Sequence, residues 1–156
     1  MTDTTAATGT TAGTDVSRVG KVRPCALMKL QTIGDPRGQL AVVEGAKDIG
    51  FPVKRLFYLY DLPTSSVRGD HAHRNLEQFV IPINGSFDVA VDDTVDTAVC
   101  RLDDPGQGLY IGPMVWNSLV NFSEGAIALV LASEHYDEAD YYRRYDEFLA
   151  DAGARP

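Results

Sequence analysis

The sequence is poor in the features that mark several common protein classes. It has only two cysteines in 156 residues, Cys25 and Cys100. Their separation gives no zinc-site spacing, so they are ordinary buried thiols or form a single bridge. No apolar run approaches the roughly 18 residues that a membrane-spanning helix needs, and the N-terminal segment lacks the basic and apolar regions of a secretory signal. We therefore expect a cytoplasmic protein without a membrane partner.

Basic residues are scarce as well. The chain has 14 lysines and arginines against 22 aspartates and glutamates, which gives a formal net charge of -8. General nucleic-acid-binding domains usually present a basic face, so this balance argues against a nucleic-acid partner. An acidic chain can still form a local basic pocket, and an anionic small molecule therefore stays open as a ligand.

The length and the apolar content of 44% suit one folded domain with a sizeable core. The first residues are rich in Thr, Ala and Gly and carry few large apolar side chains. Such a composition cannot bury enough surface to fold, so we expect a disordered tail over residues 1–20. The single domain is then expected over residues 21–156.

Short strand-like runs separated by turn residues dominate this domain. Phe87, Val89 and Val91 alternate with smaller or polar residues, as in a half-buried strand. Asn84-Gly85 predicts a tight hairpin, and apolar spacings of three and four predict a helix over residues 137–149. Many short strands with one terminal helix indicate a sandwich or barrel. Further strands are predicted over residues 26–33, 40–43, 54–60, 78–83, 95–102, 109–111, 115–120 and 126–132.

Two of the three histidines, His71 and His73, are two residues apart. On a strand, residues i and i+2 point to the same face, so both imidazoles would enter one cavity. Imidazole transfers protons near neutral pH and is also a common metal ligand. The pair therefore allows three interpretations: structural histidines, metal ligands, or metal-free proton transfer.

The metal interpretation is disfavoured by the residues around the pair. His-x-His followed by Gln78 and Gly85 has the spacing of the first cupin motif. Metal-binding cupins usually have Glu at the position of Gln78 and a further His at the position of Asn117. Both positions are neutral amides here, whereas a tight transition-metal site needs about three imidazole, thiolate or carboxylate ligands. We predict no metal, although Glu77 could contribute a ligand in a different register.

The proton-transfer interpretation is favoured by the neighbouring arginines. Two imidazoles can act as base and acid without unusual pKa values. Arg68 and Arg74 flank the pair, and guanidinium groups bind carboxylates and phosphates through forked hydrogen bonds. Both arginines could instead be ordinary solvated charges. In an unbroken strand Arg68 would face away from His71, unless Gly69 supplies a bulge.

The order of the motifs resembles the dTDP-4-keto-6-deoxyglucose 3,4-ketoisomerases, which are metal-free sugar isomerases of the cupin superfamily. The likeness extends from about Asp35 to Phe148. Each motif alone is weak, and their order and spacing carry the resemblance. The motifs are DPRG at 35–38, RLFYLY at 55–60, RGDHAH at 68–73, LEQ at 76–78, NGS at 84–86, G-L-Y at 108–110, GPMVW at 112–116, LVLAS at 129–133 and YDEADY at 136–141.

This resemblance implies an all-β fold, a cupin-type double-stranded β-helix (jelly roll), with a short C-terminal α-helix. It implies a homodimer that holds a dTDP-linked keto-deoxysugar in each barrel and uses no metal or other cofactor. The implied reaction moves the ketone from C4 to C3 of the hexose. Such products commonly go to an aminotransferase that makes a dTDP-3-amino sugar.

The resemblance also implies roles for individual residues. His71 is the expected base that removes the C3 proton, and His73 is expected to move protons on the oxygens of the enediol or enediolate. Tyr58 and Trp116 could equally be core aromatics. The combination of Arg37 and Asn117 leaves the configuration at C4 of the product open. The full set of expected substrate-binding residues is Arg37, Tyr58, Arg68, Arg74, Gln78, Trp116 and Asn117.

Three other functions are compatible with parts of this pattern. A cupin-type nucleotide-sugar epimerase would also remove an acidic C–H proton but return it to the opposite face of the same carbon. A non-catalytic nucleotide-sugar-binding cupin would bind the ligand without proton exchange. A metallo-oxygenase would need the metal ligands that Gln78 and Asn117 do not supply.

Overall fold

The computed structural model describes residues 16–153, and it consists mainly of short antiparallel strands. The strands are β1 (Val16–Arg18), β2 (Cys25–Lys29), β3 (Gln31–Asp35), β4 (Gly38–Val42), β5 (Arg55–Leu59), β6 (Arg68–His73), β7 (Gln78–Asn84), β8 (Phe87–Asp92), β9 (Thr97–Leu102), β10 (Gln107–Ile111), β11 (Trp116–Val120), β12 (Ile127–Ala132) and β13 (Tyr141–Tyr142). The helices are α1 (Ala46–Ile49), a 3-10 turn (Glu138–Asp140) and α2 (Tyr145–Gly153).

Two sheets enclose one apolar core. The first has the strand order β1-β2-β10-β7-β12-β5, and the second has the order β13-β6-β11-β8-β9. Val80 and Leu109 from the first sheet and Val89 and Leu119 from the second belong to the same buried cluster. Because both sheets contribute to one core, their inner faces pack against each other. The predicted all-β jelly roll with a short C-terminal helix is confirmed.

The N-terminal part of the chain differs from the prediction at its boundary. Residues 1–15 of the predicted tail lie outside the described residues. Residues 16–18 form β1, which pairs with β2 through Val16 and Met28, and Val19 is buried at 5% exposure. The folded domain therefore includes residues that the composition assigned to the tail.

The Asn84-Gly85 turn is a corner between the sheets, so the predicted hairpin is wrong. β7 pairs with β10 and β12, whereas β8 pairs with β9 and β11. Gly85 has a φ of +65°, and Ser123 bonds the backbone of Ser86 from the neighbouring loop. The turn signal was correct, but sheet pairing is decided by long-range contacts that a two-residue motif does not specify.

The predicted helix over residues 137–149 is wrong in its first half. Tyr141 and Tyr142 instead pair with His73 and Ala72 as strand β13, and the helix begins at Tyr145. Asp137 accepts a hydrogen bond from Ala139 N and so begins the preceding 3-10 turn. Pairing with β6 satisfies the backbone that the local pattern would have placed in a helix.

The structure also bears on the two cysteines and on the presence of a membrane-spanning helix. Cys25 and Cys100 are free and half-buried, and burial raises the pKa of the Cys25 thiol to about 12. They are therefore ordinary thiols in this structure. No helix within residues 16–153 combines the length and apolar character required to cross a membrane.

Candidate active site

Strand β6 places His71 and His73 side by side, as their spacing predicts. Their ring centroids are 4.8 Å apart with an interplanar angle of 78°. Tyr141 from β13 completes a cluster of three rings, 5.1 Å from His71 and 4.2 Å from His73. His73 is only 3% exposed. The pair is therefore held rigidly at the inner surface of the barrel.

A bulge in β6 brings Arg68 to the same side as the histidines. His71 lies opposite Asn117 and Gly69 lies opposite Ser118, so Asp70 has no partner in the ladder. Gly69 and Asp70 have φ values of +73° and +57°. Only glycine adopts such a conformation at little cost. The extra residue in β6 reverses the alternation of side chains between the two faces of the strand, so Arg68 and His71 lie on the same face. This is the bulge that the sequence analysis expected at Gly69.

The histidines face a cavity of about 140 Å³ inside the barrel. This volume is small beside the roughly 300–1,000 Å³ of a site that encloses a drug-sized ligand, so it can enclose only part of a larger molecule. Gln78 and Asn117 line it as buried amides, at 5% and 2% exposure. The other lining residues are Arg55, Phe57, Leu59, Arg68, Gly69, His71, His73, Val80, Leu119, Val130, Tyr141 and Arg143.

A second cavity of about 430 Å³ adjoins the first. Arg55, His73 and Tyr141 line both cavities, and the loop of residues 134–140 forms much of the outer wall. We call these spaces the inner and the outer cavity. His73 therefore stands at the boundary between the barrel interior and the surface.

Burial and positive charge keep both imidazoles neutral. Burial lowers the pKa of His73 to about 3, and His71, Arg55 and Arg143 add further repulsion against its protonated form. The pKa of His71 is also lowered, first by burial and then by Arg143. A neutral imidazole has a free lone pair, so both rings can accept a proton at neutral pH.

Three polar residues of the inner cavity were missed by the sequence analysis: Arg55, Tyr141 and Arg143. Arg143 donates to Glu138 at 2.8 and 2.9 Å, and its guanidinium lies 4.0 Å from the centre of the Tyr141 ring. Tyr141 and Arg143 lie in the segment that was predicted as helix. Arg55 was detectable, because it shares strand parity with the inward Phe57.

Tyr58 and Trp116, both predicted as ligand contacts, lie outside the inner cavity, so the structure does not bring them together with the histidine pair. Tyr58 is 58% exposed on the outer face of β5, because its neighbours Phe57 and Leu59 point inward. Trp116 packs on Phe148 of α2 and donates to Asp70 at 3.2 Å. Strand alternation gives each of them the face opposite to the cavity.

Arg74 is also directed away from the site. Its guanidinium bonds to Tyr142 and pairs with Asp151 at 2.9 Å, and it lies 3.9 Å from the centre of the Tyr142 ring. These contacts attach helix α2 to β6. Arg74, predicted to bind the ligand, therefore lines neither cavity and makes structural contacts in this chain.

Arg37 lies at the turn of the β3–β4 hairpin, outside both cavities. Its side chain is 89% exposed and pairs with Asp35 of the same turn. Strands β3 and β4 form a separate two-stranded sheet. Within one chain, Arg37 does not meet the histidine pair.

The side chains near the histidines do not form a set of metal ligands among the described residues. Across residues 16–153, no three or more His, Cys, Asp or Glu side chains converge in a way that could hold a metal ion. Glu77 accepts a hydrogen bond from Tyr110 at 2.7 Å and does not line the inner cavity. Besides the histidines, the polar residues that line the inner cavity are the amides Gln78 and Asn117, three arginines and Tyr141.

Comparison with known proteins places this site in a family. Residues 23–153 match the family model described as FdtA: WxcM-like, C-terminal. A TDP-4-oxo-6-deoxy-alpha-D-glucose-3,4-oxoisomerase from Aneurinibacillus thermoaerophilus is 43% identical over 122 residues, which are 78% of this chain and 88% of that protein. This likeness covers the strands that carry the histidine pair.

Solved structures agree in fold and in sequence. A variant of the 3,4-ketoisomerase QdtA from Thermoanaerobacterium thermosaccharolyticum, in complex with TDP-4-keto-6-deoxyglucose, has a TM-score of 0.84 at 40% identity and covers 86% of this chain and 97% of its own. The WlaRB TDP-quinovose 3,4-ketoisomerase from Campylobacter jejuni has a TM-score of 0.80 at 43% identity, with coverages of 83% and 99%.

Proposed function

The chain belongs to the family described as FdtA: WxcM-like, C-terminal, and on that premise we propose that it is a sugar-nucleotide 3,4-ketoisomerase. It moves the ketone of a dTDP-4-keto-6-deoxyhexose from C4 to C3. The observation that carries this proposal is the pair of neutral imidazoles, 4.8 Å apart between ring centroids, in a cavity lined by arginines. Its 3-keto product has the chemistry that an aminotransferase needs to make a dTDP-3-amino sugar.

The reaction needs one base that removes a proton from carbon and one group that moves a proton between the two sugar oxygens. The C4 carbonyl acidifies the C3 hydrogen, and His71 removes it to leave an enediolate. A proton is then delivered to C4, while His73 carries the hydroxyl proton from O3 to O4. Both imidazoles have lowered pKa values, so each is neutral at pH 7 and has a nitrogen lone pair that can take a proton from the substrate. No metal takes part in this scheme.

Cationic and amide groups around the histidines suit an anionic intermediate. Arg55 and Arg143 lie close enough to His73 to repel its protonated form, and they would stabilise a developing enediolate by the same charge. Arg68 and Arg143 are exposed enough to meet a diphosphate outside the inner cavity. Gln78 and Asn117 supply hydrogen bonds to the sugar hydroxyls.

The enzyme is a homodimer in this proposal, and the β3–β4 hairpin supports it. Isolated two-stranded hairpins are marginally stable in water. Ile33 and Leu40 are cross-strand partners in this hairpin and are 59% and 55% exposed. Tyr58 lies on a second exposed apolar surface. If the hairpin of one subunit packs on a second copy, its Arg37 would lie near the cavity of that second copy. Arg37 would then bind the substrate of the partner subunit across the interface.

We place this activity in the cytoplasm, where nucleotide sugars are made.

The decisive test of the activity is incubation of the purified protein with dTDP-4-keto-6-deoxyglucose in deuterated water, followed by NMR of the sugar. We expect a 3-keto product with deuterium at C3 or C4. An unchanged ketone with inversion at one carbon would identify an epimerase instead. Tight binding by calorimetry without any exchange would identify a binding protein.

A further inference from the structure

Asp140 lies behind His73 and has no place in the scheme above. One of its oxygens, Oδ2, is 3.5 Å from Nδ1 of His73. The His73 side chain is 4% exposed and that of Asp140 is 16% exposed. Nδ1 of His73 is buried and has no hydrogen-bond partner of normal geometry among the described residues. This buried nitrogen therefore has a carboxylate as its polar neighbour.

We propose that Asp140 is a positioning residue that holds the proton of His73 on Nδ1, so that Nε2 is the nitrogen that exchanges protons with the sugar oxygens. The proposal rests on the proposed isomerase activity for its catalytic meaning. The tautomer that it specifies is a property of the free protein and can be measured without substrate.

The backbone determines where this carboxylate lies. Tyr141 pairs with His73 in the β13–β6 ladder, and Arg74 N donates to the Asp140 carbonyl at 2.8 Å. The Asp140 side chain then accepts hydrogen bonds from Asn75 N at 2.9 Å, Asn75 Nδ2 at 3.1 Å and Leu76 N at 3.1 Å. Five connections between two short segments leave the carboxylate little freedom to turn away from the imidazole.

Electrostatics then selects the tautomer. A neutral imidazole carries a proton on one nitrogen and a lone pair on the other. A lone pair on Nδ1 would be repelled by the carboxylate oxygen, whereas an N–H on Nδ1 is attracted to it. The lone pair is therefore left on Nε2. A carboxylate that orients an imidazole in this way also stabilises the imidazolium that forms transiently during proton transfer.

Other groups around His73 oppose its charge. His71 on the same strand, Arg55 on β5 and Arg143 after β13 disfavour protonation. Tyr141 covers the ring with a centroid distance of 4.2 Å. His73 is thus neutral at rest. During turnover, Nε2 takes the proton from O3–H and returns it to O4, so no net proton is gained or lost by the protein.

The direct test is long-range 15N–1H NMR of the full chain labelled in histidine. The chain has only three histidines, so the spectra of H71N and H135Q identify the signals of His73. We expect Nδ1 of His73 to carry the proton in the wild type and D140N to shift the population towards Nε2–H. A wild-type His73 that is protonated on Nε2 would overturn the proposal, whether or not the protein turns over the sugar nucleotide.

Kinetics supply the second test, and D104N is its matched control. Asp104, in the loop between β9 and β10, also caps a turn by accepting from a backbone N–H, that of Gly106 at 2.8 Å, but it lines neither cavity. We expect D140N to lose about 10²-fold or more in kcat with little change in KM. In deuterated water, D140N should also give a higher ratio of deuterium at C3 of the recovered substrate to product formed than the wild type does. D104N should keep wild-type kcat.

Three results would contradict the proposal in these assays. They are an unchanged kcat in D140N, an equal loss in D104N, or an unchanged ratio of exchange to product. A wild type without any turnover would instead contradict the proposed function, and the tautomer measurement would still decide the role of Asp140.

Discussion

Tyr141 lies directly opposite His73 in the pairing of β13 with β6, and the centroids of the two rings are 4.2 Å apart. A strand of only two residues thus closes the site from the C-terminal side. It brings Asp140 and Arg143, which flank it, to the two sides of the histidine pair. The site is consequently a product of two segments that lie far apart in the sequence.

Replacement of either histidine should abolish most turnover without unfolding the protein. H71N and H73N each remove a proton-transfer group, for which losses of roughly 10²- to 10⁴-fold in kcat are expected. Asparagine is smaller than histidine and fits the same space. NMR of the product measures the activity, and thermal unfolding checks the fold. Wild-type rates in both variants would remove the assignment of the pair to proton transfer.

The stability of the protein should fall as the pH decreases from about 6.5 towards 3. His73 has its pKa lowered from 6.5 to about 3 in the folded protein. Below pH 6.5 the unfolded chain therefore binds a proton that the folded chain does not bind. The free energy of unfolding decreases as the pH falls, and the folded protein becomes less stable. Urea unfolding across this pH range measures the effect. H73N should show a flatter dependence, and an identical slope in both proteins would contradict the prediction.

Replacement of Gly69 by alanine should damage both stability and activity. Its φ is +73°, and an added Cβ would lie 3.1 Å from the Asn117 carbonyl oxygen. We expect a loss of about 1–3 kcal/mol in the free energy of unfolding and a higher KM, because the bulge also positions Arg68.

Gly50→Ala is the matched control for this change. Gly50 has a φ of +83° but no atom within 4 Å of an added Cβ, and it does not line either cavity. It should lose stability through the same backbone strain while keeping its kcat and KM. An unchanged KM in Gly69→Ala would show that the bulge does not serve the site.

Mixed dimers can test the role of Arg37 across the interface. R37A and H71N should each be weakly active alone. If Arg37 serves the partner's cavity, a mixture of the two subunits contains dimers in which one site has both His71 and the Arg37 of the other subunit. We expect activity to rise on mixing after subunit exchange. No rise, or a monomer by analytical ultracentrifugation, would contradict this arrangement.

Much of the barrel and the histidine pair could be predicted because strand alternation is a local property. The same rule shows why Tyr58 and Trp116, both predicted as ligand contacts, lie outside the inner cavity. Asn117 and Trp116 are neighbours on one strand and cannot share a face, and Tyr58 stands in the same relation to Phe57. Strand alternation, applied to β5, would have predicted Arg55 in the cavity instead of Tyr58, because Arg55 is on the same face as Phe57.

The remaining errors involve contacts between distant segments. Nothing local distinguishes the corner at Gly85 from a hairpin, because the difference lies in which strands the flanking residues pair with. The apolar spacing around Tyr141 and Tyr145 suits a helix equally well. Only the free edge of β6 makes the extended conformation of Tyr141 more stable, and that edge is absent from a sequence pattern.

The late position of β13 has a consequence for biosynthesis of the enzyme. A ribosome that has completed β6 has made His71 and His73, but it must add about 70 further residues before Arg143 exists. A nascent chain therefore has the histidine pair long before it has Tyr141 and Arg143, whereas the last barrel strand, β12, ends only nine residues before Tyr141. Any ligand binding that depends on Tyr141 and Arg143 should therefore appear only in chains that extend past residue 143.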